Sequence, residues 1–125
     1  MNGKEILIDT NIVLYLLKGN DTLEEMLQGK EPYLSFITEL ELMGFQDISI
    51  KEEKQINELL NDCLVVSLNN NIKKEYIELR KKYRLKLADA IIAATAITLN
   101  IPLITSDKQF TIVKELNLIQ YVIGV

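Results

Sequence analysis

Residues 4 to 9, KEILID, form a short aliphatic run that stops at a carboxylate, and Thr10 and Asn11 follow with the chemistry of a helix start. An apolar strand that delivers an acid at its C-terminal end and turns at once into a helix is how parallel α/β sheets build ligand sites. The same pattern recurs along the chain. Tyr33 to Ile37, Leu64 to Leu68, Pro102 to Thr105 and Leu118 to Ile123 are further short apolar runs, separated by segments of helical periodicity. Alternating strands and helices with short connections predict an α/β fold with a largely parallel sheet, helices on both faces and right-handed crossovers. The 125 residues, 48% of them hydrophobic, suit one domain over residues 1–125 with a real core.

Thr10 or Asn11 can cap the first helix, which is apolar on most sides and ends near Gly19. Asp21, with Glu24 three residues on, opens a second helix that stops at Gly29. Pro32 marks a turn into the second strand. Thr38 and Glu41 have the spacing of a capping box for the next helix, and residues 52 to 62 read as a polar helix with Ile56, Leu59 and Leu60 inward. Asn69 to Asn71 lead into a helix whose Ile72, Tyr76, Leu79 and Tyr83 form an apolar stripe, read as core rather than a stacking platform. From Ala90 to Leu99 nearly every residue is small or apolar, which predicts a helix buried on all sides. Asp107 can cap a last helix pinned by Phe110 and Val113.

The acids are few in these apolar surroundings. Asp9 and Asp107 end strands, while Glu41 and Asp89 stand in first turns of helices entering from the same sheet edge. Each has an ordinary reading: capping for Glu41 and Asp107, a helix-dipole role for Asp89. Glu39 competes with Glu41, since residues two apart on a helix point about 200° away from each other. Periodicity does not choose between them. In an open parallel sheet these positions converge on the crevice at the topological switch point. Carboxylates sharing such a crevice repel one another unless protons or cations neutralise them. Oxygen-only ligation favours Mg²⁺ or Mn²⁺, hard ions that keep waters and meet phosphate oxygens. That chemistry suits water-driven cleavage of a phosphodiester.

Composition removes the competing mechanisms. With no histidine, Ser/His/Asp and Cys/His catalysis and His-based zinc sites are excluded in cis. Cys63 has no internal disulfide partner and reads as a core thiol. No basic, apolar leader and no apolar stretch of the ~20 residues needed to span a bilayer are visible, which predicts a cytoplasmic chain with no membrane partner. The net charge of −4 disfavours unaided nucleic-acid binding, but it hides a segregation. Lys73, Lys74, Arg80, Lys81, Lys82, Arg84 and Lys86 against Glu75 and Glu78 give that window +5, leaving −9 for the rest. The window is either a solvated helix face or a patch that tracks a phosphate backbone.

LIDTN at 7 to 11, SFITELEL at 35 to 42, LADAIIAATA at 87 to 96 and LITSDKQF at 103 to 110 together resemble the successive motifs of PIN-domain ribonucleases. The group includes the VapC toxins of toxin-antitoxin pairs. The resemblance covers essentially the whole chain, in order and at family-like spacing. It implies a three-layer α/β/α sandwich and a Mg²⁺- or Mn²⁺-dependent endoribonuclease. It also implies Glu41 rather than Glu39, because the family acid follows the threonine by three residues. Asp9, Glu41 and Asp89 then match three family acids, Asp107 matches a fourth position, and Asn11 and Thr105 match supporting polar positions. Ser106 departs from the pattern, since many relatives carry a basic residue there. Phosphate contacts are then expected from Lys108, or from Arg84 and Lys86 in the basic window. The resemblance further implies a homodimer and a small antitoxin whose C-terminal segment covers the crevice.

Two other classes fit the residues less well. A catalytically silent PIN-like module binding RNA or protein is disfavoured by the intact acids. A phospho-acceptor signalling domain needs an acceptor Asp at the end of the third strand, where Ser67, Leu68 and Asn69 stand instead.

Overall fold

The computed structural model describes residues 2–122. Strands β1 (Glu5–Ile8), β2 (Glu31–Ser35), β3 (Leu64–Val66), β4 (Leu103–Thr105) and β5 (Leu118–Gln120) form one sheet in the order β3-β2-β1-β4-β5. Every pairing is parallel, as the strand–helix alternation predicts. Helices α1 (Thr10–Leu17), α2 (Asp21–Leu27), α3 (Phe36–Met43), α4 (Ile50–Asp62), α5 (Asn70–Lys82) and α6 (Leu87–Leu99) make the connections, and a short 3₁₀ helix, Lys108–Ile112, follows β4. The expected end of the last strand at Ile123 lies outside the described residues.

Strand alternation divides the core into two layers. Leu7 and Leu103 face a cluster built on α5 and α6 with Ile72, Leu79, Ala93 and Phe110. Ile6, Ile8 and Ile104 point the other way, onto Ile12, Leu23, Leu42 and Ile56 from α1 to α4. Period two sends neighbouring side chains to opposite faces, so the part of a central strand covered on both faces is apolar, here Ile6 to Ile8, while Glu5 at its start accepts from the Asn2 amide. All four residues of β1 are buried. The α6 helix is buried from Ala90 to Ala96, as its small, apolar composition predicts. It stops at Asn100, whose φ of 55° puts it in the left-handed region that asparagine tolerates.

Several helix starts differ from expectation. The α1 cap is Asp9 itself, whose carboxylate accepts from the Thr10 amide, not Thr10 or Asn11. Asn20 caps α2 by accepting from Leu23, so Asp21 and Glu24 lie inside the helix and form no capping box. Strand β2 runs without a loop into α3, capped by Ser35, so neither Thr38 nor Glu41 caps anything. The capping box belongs to α4, where Ser49 and Glu52 bond each other's backbone amides; the helix therefore begins at Ile50, ahead of the expected 52. Pro32 lies within β2 rather than before it. It pairs with Ile6 on one side, while pairing with β3 starts only at Tyr33, so its missing N–H costs no ladder bond there.

Tyr76 and Tyr83 are partly buried against the α5–α6 core, as the stripe predicts. Cys63 is half-buried beyond the end of α4, and burial pushes its thiol up to about 11, with Asp62 adding to the effect. Such a thiol is unreactive at neutral pH.

Candidate active site

The sheet order places the switch point between β1 and β4, because successive strands run outward from β1 in opposite directions. Asp9 leaves β1 with its amide bonded to the Ile104 carbonyl at 3.0 Å, which fixes it against β4. The carboxylate is only 5% exposed. One oxygen accepts from the Thr10 amide at 2.8 Å, and the other accepts from the Thr105 hydroxyl at 2.6 Å. Thr105, fully buried, accepts in turn from the Asp107 amide at 2.9 Å. Asp107 spends Oδ1 on the Gln109 amide at 2.9 Å, capping the 3₁₀ helix. Asn11 Oδ1 accepts from the Ser106 amide at a long 3.5 Å. These bonds tie the strand ends and the following turn into one unit.

A second set of hydroxyls holds Glu41. Thr10 donates to Glu41 Oε1 at 2.9 Å and lies 3.0 Å from the Thr38 hydroxyl. A hydroxyl has one proton, so Thr38 donates to Thr10 and Thr10 to Glu41. Thr38 and Glu41 are three apart on α3 and share a face, which is how both reach Thr10. Helix capping is the role expected of Thr10 and Thr38, and in the fold both position the acid instead. Their signal was present: a threonine after the strand acid, and another three residues before the helix acid.

Electrostatics joins the acids. Burial pushes Asp9 from its ordinary 3.8 up to about 6, against the opposing hydrogen bonds, and the charges of Asp89 and Asp107 add to the rise. Asp89, in the first turn of α6 and half-buried, is also raised, first by burial and then by Asp107 and Glu41, with Lys86 opposing. Asp9, Glu41, Asp89 and Asp107 therefore share one electrostatic neighbourhood. Among the described residues, no three acids or thiols stand close enough to enclose an ion. Mg²⁺ commonly binds through one or two carboxylates, its waters and substrate phosphates, so an open, oxygen-only crevice with carboxylates held above their ordinary pKa fits such an ion in donor chemistry. Glu39, partly exposed in the first turn of α3, takes part in none of these contacts. Lys108 is exposed on the 3₁₀ helix, and Arg84 and Lys86 are exposed between α5 and α6.

Valine at Thr105 would leave a buried carboxylate oxygen without its donor. Thr105→Val is expected to destabilise the chain by about 1–3 kcal/mol at pH 7. The loss should be smaller at pH 4.5, where Asp9 is protonated. Urea denaturation at the two pH values measures it, and equal losses would remove Asp9 as the cause.

An all-parallel sheet with four acids from strand ends and helices in one electrostatic neighbourhood at its switch point defines an α/β domain with an acidic edge. The family model of the PIN domain matches residues 6–116, and the chain belongs to this family. A toxin-antitoxin complex from Klebsiella pneumoniae contains a similar chain, 29% identical with a TM-score of 0.80, covering 94% of this chain and 99% of that one. VapBC-1 from nontypeable Haemophilus influenzae is 27% identical with a TM-score of 0.74, over 93% and 97% of the two chains. VapBC2 from Rickettsia felis, bound to a DNA fragment from its promoter, is similar in fold, with a TM-score of 0.82 at 20% identity over 94% and 99%. No curated protein sequence matches the chain. Among the described residues, no helix is long and apolar enough to cross a membrane.

Proposed function

We propose that this PIN-domain chain is a Mg²⁺- or Mn²⁺-dependent endoribonuclease and the toxin of a toxin-antitoxin pair. The observation that carries the reading is the Asp9 carboxylate, clamped by Thr10 and Thr105 and raised first by its burial and then by the charges of Asp89 and Asp107. A group so placed favours a cation or a proton beside it. Asp9 and Asp89 would hold the ion, with Glu41 and Asp107 at its margin. When bound, such an ion polarises a phosphate oxygen and makes water a competent nucleophile at neutral pH. Thr105 and Thr10 keep the Asp9 oxygens in fixed directions, so orientation is set before substrate arrives. Glu41, exposed and steered by Thr10, can accept a proton from the attacking water as the phosphorus–oxygen bond forms and a ribose oxygen leaves.

The partner assignment rests on the similar chains, which occur in toxin-antitoxin complexes. An acidic crevice on a chain of net charge −4 suits a small protein that inserts a cationic side chain. A homodimer is supported by Leu40 and Met43 on α3 and Leu64 on β3, which are 56%, 62% and 52% exposed. The purified chain incubated with tRNA, rRNA and mRNA should cut internally with Mn²⁺ and not with EDTA. Cleavage indifferent to EDTA would sink the metal-dependent reading. Lack of a tight protein partner encoded beside it would sink the toxin role and leave the nuclease.

A further inference from the structure

The basic window closes on one side of a cleft that the catalytic reading does not use. Arg80, Tyr83, Arg84, Leu85, Lys86 and Gln109 line an open cleft of about 560 Å³ between the end of α5 and the 3₁₀ helix. The lining follows from local structure. Tyr83 and Lys86 have extended backbone, so side chains of this connector alternate in direction. Leu85 points into the core at 7% exposure, which turns Arg84 and Lys86 together toward the cleft. Arg80 is held before any ligand arrives: it donates to the Tyr76 hydroxyl at 2.9 Å and lies 5.7 Å from that ring's centre. The Tyr83 wall is fixed by its hydroxyl, which donates to Glu115 at 2.6 Å.

The cleft has cations that form no ion pair among the described residues, and it lies beside the acids. Among the described residues, the one ion pair is Lys82 with Glu115, so Arg80, Arg84 and Lys86 have no carboxylate at bonding distance. Lys86 stands three residues before Asp89 and acts on its charge. Gln109, on the opposite wall, is bonded through its amide to Asp107. The cleft thus adjoins the acids through Lys86 on one wall and Gln109 on the other. Arginine's planar fork suits phosphate oxygens, and three cations in a row without carboxylates suit successive phosphates.

We propose that this cleft is a phosphate-backbone subsite that holds single-stranded RNA next to the scissile bond, through Arg80, Arg84 and Lys86. The inference rests on the reading that the chain acts on RNA. It makes the substrate an unpaired strand several nucleotides long, gripped by its backbone and not by its base sequence.

Binding of a fluorescein-labelled single-stranded RNA is followed by anisotropy at several KCl concentrations, in an Asp9→Asn background so that the probe survives. Combined Arg80→Ala, Arg84→Ala and Lys86→Ala should weaken binding about 10- to 100-fold and flatten the slope of log K against log salt by about 2, since a single strand contributes about 0.7 per phosphate neutralised. Combined Lys18→Ala, Lys51→Ala and Lys54→Ala removes the same charge from the opposite helix layer and should leave the slope unchanged. Equal changes in both triple variants, or none in the first, overturn the subsite. Should the unsubstituted chain cut no RNA with Mn²⁺ while the cleft variant still loses its slope, the nuclease reading fails and the subsite stands. Cleavage by the unsubstituted chain with an unaltered slope in the cleft variant rejects the subsite alone.

Discussion

Asparagine in place of Asp9 or Asp89 should lower Mn²⁺-dependent RNA cleavage by about 1,000-fold or more. Losing the anionic ligand forfeits several kcal/mol of charge stabilisation in the transition state, and each ~1.4 kcal/mol is tenfold in rate. The substitution keeps size and shape, so a folded but inactive protein is the expected product. Glu39→Gln provides the contrast. Glu39 lies in the first turn of the same helix as Glu41 but joins none of the hydroxyl contacts, so its variant should cleave at the unsubstituted rate. Single-turnover cleavage at saturating Mn²⁺ measures all three. Full activity in Asp9→Asn would remove the proposed centre, and a Glu39→Gln variant as damaged as Asp89→Asn would reassign the helix acid.

The metal-free chain should lose stability as pH rises from about 4 to about 7. Asp9 has its folded pKa raised from 3.8 to about 6, so the folded state binds more protons than the unfolded chain across that window. Stability is fully present below 3.8 and is lost as pH climbs through about 6. For a side chain this buried, the shift amounts to about 3 kcal/mol, and Asp89 contributes with the same sign. The pH dependence should be flatter in Asp9→Asn. Mn²⁺ at about 100 times its dissociation constant would return about 2.7 kcal/mol at neutral pH. Denaturation curves with and without Mn²⁺ across this range test both parts. A metal-free chain that gains stability toward pH 7 in step with Asp9→Asn would show that Asp9 is not held in this state.

The fold was legible in the sequence because each strand is a short apolar run bounded by breakers, and because α6 has almost no polar residue to misplace. The parallel pairing follows from connections long enough to hold a helix or a 3₁₀ turn, whereas the strand order does not follow from their length. What the sequence did not disclose are details decided by contacts between distant residues. Ser35 and Thr38 are both good caps three residues apart, and Thr38 with Glu41 mimics a capping box. The choice is made by burial of Thr38 against Thr10, a contact across 28 residues. Glu41 over Glu39 came from family resemblance, and the Thr10 hydroxyl supplies a physical reason for that choice. Pro32 read as a turn because pairing on its far side begins one residue later, a fact of register and not of composition. The Ser49–Glu52 box, by contrast, is set by residues three apart in the local sequence.

The Thr105 hydroxyl also sets an order in time. Asp9 is synthesised 96 residues before Thr105, the residue that donates to its second oxygen. A ribosome makes the chain in that direction, so β1 waits through the synthesis of β2, β3 and six helices for the threonine that orients its acid. Nascent and prematurely terminated chains lacking β4 thus carry an unoriented Asp9. This topology delays the final orientation of the acid until β4 has been made.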